Sequence, residues 1–300
     1  MGAALKKIVV VGVGLIGGSF ALALRKAGAV EQVVGVGRNP SSLQRAQQLR
    51  LIDTVATMEA ALQDADLVLL SVPVAQTEQV LASIKPYLSE TTVITDAGSI
   101  KTEIVAAARR ALGERIGQFV PGHPIAGREV SGPDAAIADL YLGKKVVLTP
   151  LAENAETQIE LVANAWKCCG AHVDRLSPEQ HDAIFAAVSH LPHLLSFAFM
   201  EEVLRKPNAE LLLQYAASGF RGFTRLASSS PEMWRDISIA NRGAILSELD
   251  AYIAQLTHFR KQLADGDAVA MQAMFAHAQQ ARDAWLQHTE ATTSPEEKNA

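Results

Sequence analysis

Apolar runs and helical stripes take turns along the first half of the chain. Ile8-Val9-Val10-Val11 is a β-branched run, Phe20 to Ala27 carries apolar residues at helical spacing, and Gln32 to Val36 returns to a strand. The exchange continues through a helix at Ser42 to Leu49, a short strand near Thr54-Val55, a helix at Met58 to Gln63 and the strand Leu67 to Leu70. A helix at Ala75 to Tyr87, a strand at Thr91 to Thr95, a helix at Thr102 to Leu112 and a strand at Gln118 to Val120 follow. Lys145 to Thr149, a helix at Thr157 to Cys169, and Ala171 to Leu176 as the last strand of the sheet complete it. Strands that are apolar on both faces belong in a sheet covered by helices on both sides, and alternation of this kind predicts parallel strands with right-handed crossovers. The expectation is an α/β Rossmann-type N-terminal domain over residues 1–176, followed by an all-α C-terminal dimerisation domain over residues 177–289.

From Ser177 onward only the helical period remains. Ser177-Pro178-Glu179-Gln180 reads as an N-cap, a proline at the first helical position and a closing amide. Ile184, Val188, Leu191, Leu195 and Ala198 form the stripe of a long helix, but Pro192 lies inside it. A proline there removes the bond to the Val188 carbonyl, so the helix is expected to bend or widen. Ser189 and His193 share a face beside that defect. Ser230-Pro231 starts another helix, and Ile245, Leu249, Tyr252, Leu256, Phe259 and Leu263 repeat at alternating spacings of four and three. A second stripe runs from Met271 to Trp285 after a turn at Asp265-Gly266-Asp267. Stripes this apolar bury best against a symmetry mate, so a homodimer is expected. The polar end, residues 290–300, reads as a disordered tail.

Composition narrows the function classes. The 300 residues are 49% hydrophobic and 20% charged with a formal charge of -5, and no basic stripe is interleaved with aromatics, which argues against a nucleic-acid partner. No continuous apolar stretch approaches the ~20 residues that span a bilayer, and Lys6-Lys7 precede a run too broken by glycine for a signal peptide, so no membrane partner is expected. Cys168 and Cys169 are adjacent and suit a reducing cytoplasm better than a disulfide. His190 and His193 lack a third ligand of metal spacing, so no metal is expected.

The chemistry gathers at strand ends. Gly12, Gly14 and Gly17 are spaced G-x-G-x-x-G between a strand and a helix, the arrangement that turns tightly and brings a pyrophosphate onto the helix N-terminus at Leu15 and Ile16. Ser71-Val72-Pro73 ends the neighbouring buried strand and belongs to the same cofactor site. At the ribose end, where an acid usually selects NAD, the chain has Gly37 and Arg38, so NADP is expected over NAD, with Arg45 as a second cation. Two further loops, Asp96-Ala97-Gly98-Ser99-Ile100-Lys101 and Pro121-Gly122-His123-Pro124-Ile125-Ala126-Gly127, follow strands and face one crevice.

Five motifs in order, GVGLIGGS (12–19), DAGSIK (96–101), GHPIAG (122–127), SHLPH (189–193) and FTRLASSSPEMW (223–234), make the chain resemble the prephenate/arogenate dehydrogenase family of tyrosine biosynthesis. The resemblance implies oxidative decarboxylation of a cyclohexadienol, with a hydride passing to the nicotinamide, carbon dioxide leaving and the ring becoming aromatic. Such a step needs an acceptor for the hydroxyl proton, and a neutral imidazole suits it, which makes His123 the base. Ser99 either orients His123 or contacts the nicotinamide and the hydroxyl. The resemblance gives Arg225 a substrate carboxylate and places Ser189, His193 and Trp234 around the pocket. Gly222 stands where some members carry an acid, which favours prephenate over arogenate. The alternatives are a β-hydroxyacid or imine reductase, disfavoured because Ser177 to Asp182 supplies no lysine, and a non-enzymatic NAD(P) sensor, which would not need His123, Ser99 and Arg225 together.

Overall fold

The computed structural model of the chain describes residues 5–128 and 130–292. The first elements are β1 (Leu5–Val11), α1 (Leu15–Lys26), β2 (Val30–Val36), α2 (Pro40–Gln48), β3 (Thr54–Val55) and α3 (Met58–Leu62). Next come β4 (Leu67–Leu70), α4 (Thr77–Ile84), β5 (Val93–Asp96), α5 (Thr102–Leu112), β6 (Phe119–Val120) and β7 (Gly122–Pro124). β8 (Lys145–Leu148), α6 (Glu156–Cys168) and β9 (His172–Arg175) lead into α7 (Pro178–Phe185), α8 (Leu191–Leu204), α9 (Ala209–Gln214), α10 (Ser218–Thr224) and α11 (Pro231–Ala240). The chain ends in α12 (Arg242–Asp265) and α13 (Ala268–Thr292). The expected tail therefore begins as helix up to Thr292, and its remainder lies outside the described residues.

Six strands form a parallel sheet in the order β3-β2-β1-β4-β5-β6. Period-two alternation in β1 divides its side chains between two cores. Ile8 and Val10 pack with Phe20, Leu24 and Trp166, while Val9 and Val11 pack with Leu62, Leu81 and Ile104. Both faces are dry, which explains a run with no polar alternation. The switch of strand order falls between β1 and β4, which places a ligand crevice at their C-terminal ends.

The sheet does not continue to the last strand as expected. β7, β8 and β9 form a separate three-stranded sheet in which β7 runs antiparallel to β8 and β9 runs parallel to it. The break has a local cause. Pro121 has no N–H to offer a ladder after β6, and the next N–H, Gly122, donates to the Asp96 carboxylate at 2.9 Å. His123 is consequently held in a strand, between Gly122 and Pro124, rather than in a loop.

The change of pattern at Ser177 is a change of secondary structure inside one compact unit, which extends to Ile245; a second unit begins at Leu246. The Ser177 hydroxyl accepts from Gln180 N–H, and the Gln180 side chain accepts from Ser177 N–H, as the capping pattern predicts. Residues Ala186–His190 form a π-helical turn, closed by Leu191 N–H to the Ala186 carbonyl. Pro192, with no N–H for Val188, follows it, so the helix widens just before the proline. The run Pro178–Leu204 has the length and apolarity of a membrane-crossing helix, yet its buried positions include His181, Asp182 and His190. In the second unit, Phe259 and Phe275 meet with ring centroids 5.9 Å apart, while Leu246, Ile253, Leu256 and Leu263 are exposed.

Candidate active site

The glycine turn fits a dinucleotide. Gly12 has φ +94°, and a Cβ there would lie 2.2 Å from the Ser71 carbonyl oxygen, so the end of β4 abuts the turn and brings Ser71, Val72 and Pro73 beside it. A Cβ on Gly17 would meet the Gly12 oxygen at 2.5 Å and Val10 at 2.6 Å, which ties close packing of α1 to glycine. Gly14 faces open space, α1 begins there without a side-chain cap, and no acid lies in its first turn. The N–H groups of Leu15, Ile16 and Gly17 therefore form a cradle for an anion. At the far end, a cleft is lined by Val36, Gly37, Leu43, Gln47, Ala56 and Met58, with no carboxylate among its walls. Arg38, exposed, follows Gly37 of this lining directly in the chain. Arg45, the expected second cation, is instead engaged by Asp134, at 2.9 Å from Nε. Asp134 lies on the far side of the sequence, and only the fold brings it to α2.

The two loops after β5 and β6 are joined by a buried ion pair. Lys101 Nζ donates to Asp96 Oδ2 at 2.5 Å and to the Gly122 carbonyl at 2.7 Å, with both side chains almost fully buried. Asp96 also accepts from Gly98 and Gly122 N–H. Burial pulls the Lys101 ammonium down, and Asp96 and Asp182 oppose that shift. The residues flanking His123 are thus pinned by a lysine and an aspartate that sequence reading quoted without a role.

His123 meets an unforeseen chain of partners. Its Nδ1 lies 2.8 Å from His181 Nε2, and His181 Nδ1 lies 2.8 Å from Asp182 Oδ1. Phe185 packs edge-on against the His123 ring and tilted against the His181 ring. Burial first, then His181 and Lys101, hold the His123 imidazolium well below the ordinary histidine range. Burial lowers His181 as well, against the pull of Asp182. Desolvation pushes Asp182 up, but hydrogen bonds from His181, Thr102 and Lys101 outweigh it and the carboxyl lies below its usual range. The Ser99 main chain contacts His190, which ties the loop after β5 to the π-turn.

His190, at the end of the π-turn, is 1% exposed. Asn241 Nδ2 bridges the Asp182 carbonyl at 2.9 Å and His190 Nδ1 at 3.1 Å. Burial lowers His190 to about 4, and its Nδ1 faces the Asn241 amide. His193 Nδ1 donates to the Ser189 carbonyl at 2.9 Å, which in the neutral ring leaves Nε2 as an acceptor. Its ring stacks on Trp234 at 3.8 Å, and burial, followed by the charge of Arg225, favours the neutral form. Arg225 is exposed, close enough to His193 to act on it electrostatically. Of the expected residues, the fold brings His193, Ser189, Trp234 and Arg225 into one group and leaves His123 in a second, with His190 touching both Trp234 and the Ser99 loop. His181, Asp182 and Asn241 were missed. The adjacent His-Asp pair one turn after a cap was the visible signal, but its partners are remote in sequence.

Residues 20–175 match a family model described as the nucleotide-binding domain of prephenate dehydrogenase, and residues 177–277 match that enzyme's dimerization domain. The chain is similar to cyclohexadienyl dehydrogenase of Zymomonas mobilis, at 35% identity over 92% of this chain and 95% of that protein. Among solved structures it resembles prephenate dehydrogenase of Aquifex aeolicus in complex with hydroxyphenyl propionate and NAD+, with a TM-score of 0.84 and 34% identity over 97% of this chain and all of that one. It also resembles Synechocystis arogenate dehydrogenase, with a TM-score of 0.80 and 29% identity over 93% of this chain and 100% of that one.

Proposed function

Because the chain belongs to the prephenate dehydrogenase family, we propose that this NAD(P)-dependent dehydrogenase converts prephenate to 4-hydroxyphenylpyruvate, with His123 as the base. The bound dinucleotide supplies the hydride acceptor. His123 accepts the C4 hydroxyl proton as the hydride departs from that carbon. The ring carboxylate leaves as carbon dioxide, its bonding pair enters the ring, which becomes aromatic, and the resulting phenolate oxygen takes the proton back from His123. Arg225 holds a substrate carboxylate, while His193, Ser189 and Trp234 shape the pocket and Ser99 lies at the nicotinamide side.

The observation that carries this reading is His123 itself, a ring kept neutral by burial whose Nδ1 is occupied by His181 at 2.8 Å, so that Nε2 is the nitrogen left for substrate. Gly222, exposed and with nothing within 4 Å of a built Cβ, offers no carboxylate to the ammonium of arogenate, which favours prephenate. The cofactor is NADP in preference to NAD: the adenosine cleft has no acid in its lining, and exposed Arg38 follows Gly37 of that lining in the chain. The working form is a homodimer in the cytoplasm, and the exposed apolar residues of α12 support the pairing. The deciding experiment follows reduced-cofactor absorbance with prephenate or arogenate against NADP or NAD. Prephenate with NADP is expected to turn over fastest. Turnover only with a β-hydroxyacid or imine, or with none of these substrates, would overturn the reading.

A further inference from the structure

We propose that His181 and Asp182 are positioning residues which fix the tautomer of His123 and share the proton it accepts. The proposal rests on the reading of His123 as the base, and deepens it. The Asp182 carboxylate anchors the chain of contacts. Oδ1 accepts from Lys101 N–H at 2.7 Å and from His181, and Oδ2 accepts from Thr102 N–H at 2.8 Å. Two N–H groups at the start of an eleven-residue helix favour the ionised carboxylate, which is an acceptor only.

His181 Nδ1 therefore carries a hydrogen, and in the neutral ring Nε2 carries a lone pair. Two lone pairs cannot face each other at 2.8 Å, so the hydrogen between the rings belongs to His123 Nδ1, and His123 Nε2 is the free lone pair. Full burial of His181 removes water as a competing partner, and Phe185 packs against both rings. Asn241 holds the Asp182 main chain from the start of α12.

The same chain moves charge. When His123 Nε2 takes the substrate proton, the Nδ1 hydrogen shifts to His181 Nε2: the His123 Nδ1–H bond breaks and the His181 Nε2–H bond forms. His123 is again neutral, now protonated on Nε2, and His181 is an imidazolium bonded to the Asp182 carboxylate. Reversal of the shift returns the proton through His123 Nε2 to the phenolate oxygen left by decarboxylation, so the product departs as the phenol and both rings are neutral again. The groups facing this pair are Lys101 from the start of α5, His190 from the π-turn, Asp182 beside His181, and Asp96 at the end of β5. Lys101 disfavours positive charge on both rings, but only His181 has carboxylates, Asp182 in direct contact and Asp96 nearby, that favour it, so the shift moves charge toward the ring with the anionic partner.

Nitrogen-15 NMR of the wild-type protein tests the tautomer without any variant. A protonated Nδ1 and bare Nε2 on His123 are expected at neutral pH, and the opposite tautomer would overturn the proposal. Three variants test the proton. His181→Leu should lower kcat ~100-fold with KM and cofactor affinity within about threefold. His181→Gln, whose amide offers a donor and an acceptor but takes no proton, should lose only ~10-fold, and it replaces the leucine variant if that does not fold. Asp182→Asn removes the charge that favours the protonated pair, so the acid limb of kcat/KM should move to lower pH. An unmoved acid limb in Asp182→Asn, or wild-type kcat in His181→Leu or His181→Gln, would overturn the proposal. Wild-type kcat in His123→Asn would instead overturn the base assignment beneath it.

Discussion

The chemical end and the recognition ends of the candidate site are built in opposite ways. Around His123, the polar groups of Lys101, Asp96, His181, Asp182, His190 and Asn241 are buried and bonded to one another. Arg38 and Arg225, the cations assigned to a phosphate and a carboxylate, are exposed. The difference follows from the two tasks. A base near neutral pH must be kept uncharged until its proton arrives, and a dry, fully bonded surrounding does that. A cation that captures an anion from water need only be present at the rim and is screened there.

The sharpest way to break the comparison is at the buried end. His123→Asn should reduce kcat by ~10²–10⁴ while cofactor affinity, measured by fluorescence titration, stays near wild type. In the wild type, kcat/KM should fall on the acid side with a midpoint below the ordinary histidine value, because burial lowers His123 and only its neutral form accepts a proton.

Lys101→Met removes one partner of an ion pair and leaves Asp96 buried. Such a change costs about 3–5 kcal/mol of stability, to be read from denaturant unfolding, and no comparable loss should follow Arg38→Ala.

Acid should weaken the same region. His181 and His190 have folded pKa values below the unfolded value of about 6.5, so the unfolded chain binds more protons as pH falls. For His190 the stabilisation is complete above pH ~6.5 and is lost as pH falls toward about 4, by up to about 1.4 kcal/mol per unit, and His181 acts in the same direction. Melting temperatures measured from pH 7 to pH 4.5 should fall steadily, and a flat profile would contradict the buried neutral rings.

The exposed end should respond less. Arg225→Ala should raise KM for prephenate ~10–100-fold with little change in kcat, the worth of a charge-assisted bond of about 1.5–3 kcal/mol. An unchanged affinity in a titration of the enzyme–cofactor complex would remove Arg225 from substrate recognition. The smallest effect concerns the cofactor. The wild type should favour NADP over NAD about tenfold in kcat/KM, and Arg38→Ala should erase most of that ratio. Gly37→Asp should reverse it, since a Cβ at position 37 meets only Leu43, at an ordinary 3.4 Å.

Legibility in the sequence followed the same division. Elements defined by local pattern were readable: the run in β1, the glycine turn, the cap at Ser177 and the disturbance ahead of Pro192 all declare themselves within a few residues. α1 begins at Leu15, earlier than the apolar stripe starting at Phe20, because its first turn is packed through glycines rather than side chains. The second sheet was not readable, since its separation depends on Asp96 capturing the Gly122 N–H across 26 positions. The same holds at the site. His123 was identifiable from its motif, but its partner lies 58 positions away, and Asp182 reaches back 81 positions to Lys101. No periodicity reports a polar contact of that range. The exposed arginines were proposed from sequence on charge and place in the chain alone, and their exposure is what the structure adds.

The π-turn at Ala186–His190 also constrains chain length. Each residue of an α-helix advances the angular position by about 100°, so one residue more or fewer between two side chains turns one away from the other. His181 and Asp182 precede the widened turn, whereas His193 follows it. A one-residue deletion within 186–190 would turn the widened loop into an ordinary helical one and rotate the two histidine groups out of phase, even if every retained side chain were ideal. Across this segment the count of residues matters more to the site than their identity: Ala187 and Val188 are exposed, and what they supply to the two histidine groups is spacing.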